Sequence, residues 1–459
     1  MDELIIVSAD SHAQAPPEAW PQYLEPRYHE FIPSLHEENE IYTTVFGQLS
    51  GRLSHEPAMR AIFDLDGRLA ADGHLGIWDL DRRLAEMDVE GIAGEFVYPG
   101  DHRATAIFFN PFNRPRPPDV CDGGVRAYNR WVHDTMGGAP DRVFLVGGAT
   151  TGLDLDGTLA ELNWLADHGF KGTYAPGYSA YPDIPSLADE YWDPVWALCA
   201  ERGLPLFVHA GFGLAQGSMF SMVDSVKKRL DEPGAARDEV LAWATREVFT
   251  GEFFSDVSPR RPLWQLMFGG VFDRHPDLKL VMTEVRSDWL PATLRYLDEL
   301  YLEHRDDLPA RHSPTEYWHS NCLTSLSFVH RAEVDMRYEL GIETIAFGRD
   351  YPHNESTWPN TQAWIGDAFA GVPDNELRLA LGENLIRFLD LDRPTLARIA
   401  REIGPTRADL EAEAAAASPE LIGHFDMRGG YLKAPEGDRK LDEIRPMIFD
   451  DLAEAGVQT

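Results

Sequence analysis

LIIVSADSH, residues 4–12, is a run of strand-forming apolar residues that ends on an acid and an imidazole two positions apart. Alternate residues of an extended chain face the same side, so Asp10 and His12 leave the tip of this segment together. Seven further short runs follow: IAGEFVYP (92–99), VFLVGGA (143–149), FKGTYAP (170–176), PLFVHA (205–210), LKLVMTE (278–284), HSNCLT (319–324) and TIAFGRD (344–350). Between them lie longer stretches with apolar residues at helical spacing, among them LDRRLAEMDV, VRAYNRWVHDTM, YWDPVWALCAERG and LWQLMFGGVFDRHP. Eight alternating strand and helix units predict an α/β fold, a closed (β/α)8 TIM-like barrel with the helices as its outer ring.

That fold gives meaning to residues that are unremarkable one at a time. His209 ends the fifth run, Glu284 the sixth and Asp350 the eighth, and His353 follows in DYPHNESTWP. Each has an ordinary explanation as a core histidine, a strand cap or half of an ion pair. A barrel, however, gathers all C-terminal strand ends into one ring. Asp10, His12, His209, Glu284, Asp350 and His353 are therefore expected around one mouth as ligands of a divalent metal. Burying acids there is costly unless they are paired or bound to a cation. Asp350, Glu284 and His353 are also the candidates for catalytic proton transfer. Three carboxylates with three imidazoles suit iron or manganese as well as zinc, and carboxylates are able to bridge two ions.

The 459 residues exceed the roughly 250 of a bare barrel. The surplus falls after the first strand (13–78), after the fifth (212–259) and in a helical C-terminal extension (391–459), leaving residues 1–390 as the barrel domain with its two insertions. The fifth-strand insertion carries GFGLAQGSMFSM, suited to a mobile apolar cover or a dimer contact. A formal charge of -35 repels nucleic acid and anionic lipid. No apolar stretch approaches the ~20 residues of a membrane span, and the N-terminus is acidic where a signal peptide is basic, so a cytoplasmic protein is expected. Cys121, Cys199 and Cys322 are too scattered for a disulfide framework or a thiolate zinc site, and read as buried reduced thiols. Neither a phosphate-cradling loop, a serine nucleophile elbow nor a dinucleotide fingerprint is present. Trp20, Tyr98, Phe108, Phe109, Phe112, Tyr178, Phe212 and Trp358 fall in segments expected at the mouth and favour a small hydrophobic or aromatic substrate. Arg286 and Arg349 flank expected ligands and are candidates to hold a substrate carboxylate in a bidentate fork, with structural ion pairs as the alternative.

ADSH (9–12), FVHAG (207–211), RHPDLKLVMTEVRSDWLP (274–291) and GRDYPHNESTWP (348–359) resemble the amidohydrolase superfamily. The resemblance is to amidohydrolase-related family 2, the branch of aminocarboxymuconate semialdehyde decarboxylase and the resorcylate decarboxylases, and extends to about residue 390. It implies a metal-binding barrel and a homodimer. It further implies Asp10 and His12 in place of the first-strand HxH or ExH pair, His209 as fifth-strand ligand, and Asp350 as eighth-strand ligand or base. Two departures stand out. Many relatives have a histidine where this chain has Glu284, and Lys171 lies at the start of the fourth strand rather than its end, poorly placed for a carboxylated bridging lysine. A few members resembling this fold hydroxylate substrates at di-iron or iron–manganese centres. The leading expectation is accordingly a dinuclear iron, or iron–manganese, monooxygenase acting on a small, largely apolar substrate. Hydrolysis of an amide or lactone at a zinc or manganese centre is the alternative. Non-oxidative decarboxylation ranks third because of the missing sixth-strand histidine. A non-catalytic partner subunit ranks last, because the ligand set is nearly complete.

Overall fold

The computed structural model describes residues 3–50, 61–100, 107–177, 179–181, 183–246, 257–353, 356–425 and 441–454, so Tyr178 lies outside the described residues. Eight strands form the barrel: β1 (Ile6–Ser8), β2 (Ile92–Pro99), β3 (Val143–Gly147), β4 (Gly172–Tyr174), β5 (Leu206–Val208), β6 (Leu280–Met282), β7 (Cys322–Ser327) and β8 (Ile345–Gly348). Each pairs in parallel with its sequence neighbour. All eight residues of β2 are buried, as expected of a parallel strand covered on both faces. The seam between β1 and β8 closes through backbone bonds from Ala9 N to Phe347 O (2.8 Å), Asp350 N to Asp10 O (2.9 Å) and His12 N to Tyr351 O (2.7 Å).

Seven strands fall within the runs read from sequence; the seventh does not. HSN of HSNCLT completes a helix, Pro314–Asn321, and the strand is Cys322–Ser327. The cause is local. Ser313 and Glu316 form a capping box with Pro314 in the first turn, which starts a helix strong enough to run through His319. Two helix readings also change. Pro118 starts a helix that runs to Met136, well before the VRAYNRWVHDTM stretch. Gly269 and Gly270, the latter at φ 62°, split LWQLMFGGVFDRHP into Arg261–Phe268 and Val271–Arg274.

The insertions after β1 and β5 pack on each other: helix Ile32–Ser50 lies against helices Ser218–Asp231 and Arg237–Arg246. Met219 and Phe220, expected in an apolar cover, are buried in the first turn of Ser218–Asp231. A polar tie joins these insertions to the loop after β2. Buried Glu38 accepts from Arg116 and from Asn113 Nδ2 (3.2 Å), while Arg116 N donates to Gln216 Oε1 (2.8 Å). The C-terminal helix Leu441–Glu454 folds back onto Arg261–Phe268, where Asp451 accepts from Trp264 Nε1 (2.6 Å) and Gln265 Nε2 (2.9 Å). The three cysteines are free and buried, and burial pushes the thiols of Cys121 and Cys199 up to about 12. No helix among the described residues is long and apolar enough to cross a membrane.

Glu95 on β2 is the hub of the seam. Its two oxygens take Arg83 Nη1 (2.5 Å) and Arg349 Nη2 (2.6 Å), and all three side chains are fully buried. Arg83 also donates to Ser11 Oγ (3.2 Å) and to the carbonyl of His12. Removing the acid strands two guanidinium groups in the interior. Glu95→Gln is expected to destabilise the protein by about 3–5 kcal/mol. The measurement is the urea midpoint at constant m value, and an unchanged midpoint would show that Glu95 does not hold the seam.

Candidate metal centre

The strand ends deliver their side chains to one small volume. Asp10 and His12 follow β1, His209 follows β5, Glu284 follows β6, and Asp350 and His353 follow β8. His12 Nε2 lies 3.2 Å from Asp350 Oδ1 and 3.7 Å from Asp10 Oδ1. His209 Nε2 lies 3.5 Å from Asp10 Oδ1 and 3.0 Å from Glu284 Oε2, and His353 Nδ1 lies 3.1 Å from Asp350 Oδ1. His353 stacks on His12 with ring centroids 3.9 Å apart, and His209 meets His12 edge-on at 4.9 Å. All six side chains are buried, His353 least so at 9% exposure.

This arrangement fits a cation. Two donors each about 2.1 Å from one ion, at angles between octahedral and tetrahedral, stand roughly 3.0–3.4 Å apart, close to the spacings found. His12 Nδ1 and His209 Nδ1 each lie 3.3 Å from a backbone carbonyl, of Pro99 and Ala210, which fixes the tautomer that turns the Nε2 lone pair inward. Donor atoms of His12, Glu284, Asp350 and His353 lie within 4.8 Å of one another, as do those of Asp10, His12 and His209, so His12 belongs to both groups. Asp10 Oδ1 and His209 Nε2 are buried without a well-formed hydrogen bond among the described residues. Burial opposes protonation of His209, yet the charges of Glu284 and Asp10 outweigh it and raise its pKa. The pocket demands positive charge.

Glu284, Arg286 and Asp350 adopt φ of 55°, 61° and 57°. For residues other than glycine this left-handed region is strained by about 1–2 kcal/mol each. Such strain concentrates at functional sites.

Other residues expected at the site have different surroundings. Arg349 is fully buried and its guanidinium is committed to Glu95, so it braces the wall rather than forking a substrate carboxylate. Trp358 is buried against Tyr351 and donates Nε1 to Glu86 Oε2 (2.8 Å), which removes it from any substrate surface. Arg286, two residues past Glu284, has its guanidinium bonded to Asp288 (2.9 and 3.2 Å). Tyr98 packs on His209 (5.4 Å) and His12 (6.1 Å) and donates to Ala9 O (2.9 Å). Burial, then the charge of Asp10, keeps its phenol protonated well above the usual range. It supports the imidazoles from the barrel side. Phe212 is buried in the turn after His209. Trp20, Phe108, Phe109 and Phe112 pack on Trp131, Phe31, Tyr128 and Tyr42, contacts within and between the insertion after β1, the loop after β2 and helix Pro118–Met136. One site residue had no counterpart in the sequence reading: Ser327, at the end of β7, whose hydroxyl donates to Asp10 Oδ2. Ending the seventh strand at Thr324 hid it. The signal was the polar alternation of Ser325 and Ser327 in LTSLS.

A family model described as Amidohydrolase matches residues 9–391. The gamma-resorcylate decarboxylase of Rhodococcus jostii (strain RHA1) is 28% identical over 252 residues, covering 52% of this chain and 68% of that protein. An amidohydrolase structure from Mycobacterium avium subsp. paratuberculosis K-10 aligns with TM-score 0.57 at 17% identity, over 85% of this chain and 100% of its own. The 5-carboxyvanillate decarboxylase of Novosphingobium aromaticivorans DSM 12444, complexed with manganese and 4-hydroxy-3-methoxy-5-nitrobenzoic acid, aligns with TM-score 0.55 at 18% identity, over 84% of this chain and 96% of its own. At these identities the structural likeness speaks for the fold.

The cluster predicts its own assay. Mn²⁺ added to metal-free protein is expected to raise the melting temperature, because an ion that binds only the folded state stabilises it. His209→Ala and Asp350→Asn are each expected to lose bound metal and that rise while far-ultraviolet circular dichroism stays unchanged. Full metal occupancy in both variants would refute the site.

Proposed function

The chain belongs to the amidohydrolase family, and on that premise we propose that it is a divalent-metal-dependent decarboxylase of a small, hydroxylated aromatic carboxylate. The observation that carries the reading is the buried set of three carboxylates and three imidazoles on the strand ends, whose donor atoms gather in two groups that share His12. The likeness to gamma-resorcylate decarboxylase, over 68% of that protein, supplies the reaction class. It moves the reading away from iron and hydroxylation, which none of these relatives supports by name, and toward manganese and loss of CO₂. Glu284, in place of the histidine, sits in the same cluster and is close enough to His209 to serve as a carboxylate ligand or neighbour.

One ion fits better than two. His12 Nε2 lies 3.7 Å from Asp10 Oδ1 and 3.2 Å from Asp350 Oδ1, and a neutral imidazole nitrogen has a single lone pair, so a His12 common to both groups of ligands favours one centre. Asp10, His12, His209 and Asp350 would hold it. A divalent cation held there would supply Lewis-acid chemistry toward the substrate carboxylate. Its charge would also offset the repulsion that three acids, in a chain of charge -35, exert on an anionic substrate.

Decarboxylation needs a proton at the ring carbon that bears the carboxylate. His353 is the most exposed of the six, with Nδ1 3.1 Å from Asp350 Oδ1, and that exposure supports it as the residue that hands a proton to the ring carbon. As that proton adds to the ring carbon, the bond to the carboxylate breaks, its electron pair restores the aromatic ring, and CO₂ leaves.

The test is CO₂ release by metal-loaded protein with gamma-resorcylate and 5-carboxyvanillate as probes, alongside oxygen uptake and a panel of amides and lactones. Mn²⁺-dependent CO₂ release is expected. His353→Gln should lower kcat by about 10²–10⁴-fold, the usual worth of a positioned acid, with metal retained. Oxygen consumption without CO₂, or turnover of an amide or lactone instead, would overturn the assignment.

A further inference from the structure

Asp10 is held from a strand that is not its neighbour. β8 lies between β1 and β7 in the barrel, yet the Ser327 hydroxyl of β7 donates to Asp10 Oδ2, while Oδ1 faces His12 and His209. The reach is possible because Gly348 of β8, in register with Ser327, has no side chain. A Cβ there would lie 2.5 Å from Ser325 Oγ, 2.8 Å from Asp10 Cβ and 3.0 Å from Ser327 Oγ. Ser325 and Ser327 face the same side of β7, both are buried, and their hydroxyls are 3.1 Å apart.

Donor counting fixes the direction of this chain. A carboxylate that ligates a metal is deprotonated and can only accept. Ser327 therefore gives its single proton to Asp10, and Ser325 must be the donor in the bond between the serines. The terminal torsion of an aspartate is broad, so nothing in Asp10 itself sets the plane of its carboxylate. The Ser327 bond sets it, leaving one oxygen for the imidazole side.

Resting on the metal-centre reading above, we propose that Ser327, oriented by Ser325 and admitted by Gly348, is a positioning residue that presents Asp10 to the metal through Oδ1 alone.

The experiment is calorimetric titration of Mn²⁺ into metal-free wild type, Ser327→Ala, Ser327→Thr and Ser325→Ala, with the melting temperature of each metal-free form. Ser327→Ala is expected to bind Mn²⁺ about 10–100-fold more weakly, the usual effect of losing a group that orients a ligand, with a metal-free melting temperature near wild type. Ser327→Thr, which keeps the hydroxyl, should recover most of the affinity, and Ser325→Ala should fall between. Wild-type affinity in Ser327→Ala, or equal losses in the alanine and threonine variants, would overturn the proposal and leave the metal centre standing. If Ser327→Ala does not fold, Ser325→Ala decides: unchanged affinity there overturns the relay. Failure of wild type to bind Mn²⁺ would instead bring down the metal centre itself, and this inference with it.

Discussion

The closure of β8 onto β1 is the constraint from which the site follows. Three backbone bonds join residues more than 330 positions apart in sequence, and one of them, Asp350 N to Asp10 O, ties two of the clustered acids through their own main chain. Like charges would not choose that proximity. It is imposed by the sheet and braced by the Arg83–Glu95–Arg349 triad, whose Arg83 also grips the His12 carbonyl. A buried ion pair is weak evidence of net stability, because desolvation consumes much of the attraction. Its effect here is geometric: it fixes how β1, β2 and β8 meet immediately behind the ligands.

Electrostatics then determines what the mouth accepts. Asp10 and Glu284 both approach His209, and despite burial they raise its pKa. The environment that favours a proton on His209 favours a divalent cation more, since a cation interacts with all three carboxylates at once and with imidazole lone pairs already aimed at it. Proton and metal compete for the same nitrogen, so metal binding releases protons. The left-handed backbone at Glu284, Arg286 and Asp350 belongs to the same balance. The strained conformations persist because the surrounding sheet and turns hold them.

Much of this was legible before any coordinates. Apolar runs ending in acids and histidines carry both the barrel and its ring of ligands, because strand period and strand polarity are properties of local sequence. What local sequence does not carry is which polar group finds which partner. Arg349 sits next to Asp350 and looked like a substrate fork, yet it is consumed by Glu95, 254 residues earlier. Trp358 looked like part of a mouth and is bonded to Glu86. HSNCLT has strand-like residues, but the capping box before it wins, and the resulting shift of β7 concealed Ser327. The aromatic residues of the loops gave a correct impression of apolarity and a misleading one of availability.

That last point bears on specificity. The side chains expected to line a hydrophobic pocket are largely occupied in packing the loop after β2 and helix Pro118–Met136 with the insertion after β1, and that joint is anchored by a buried charge. Glu38 is fully buried, and Arg116 bonds it by its side chain while offering its backbone to Gln216 of the fifth-strand insertion. Apolar packing alone tolerates sliding of one helix over another, whereas breaking a desolvated ion pair leaves a buried charge without its partner and is costly. The insertions are thus tied to the loop after β2, the strand that also carries Glu95. The ligand cluster and the insertions thus share a strand, so a substitution that moves β2 is transmitted to both.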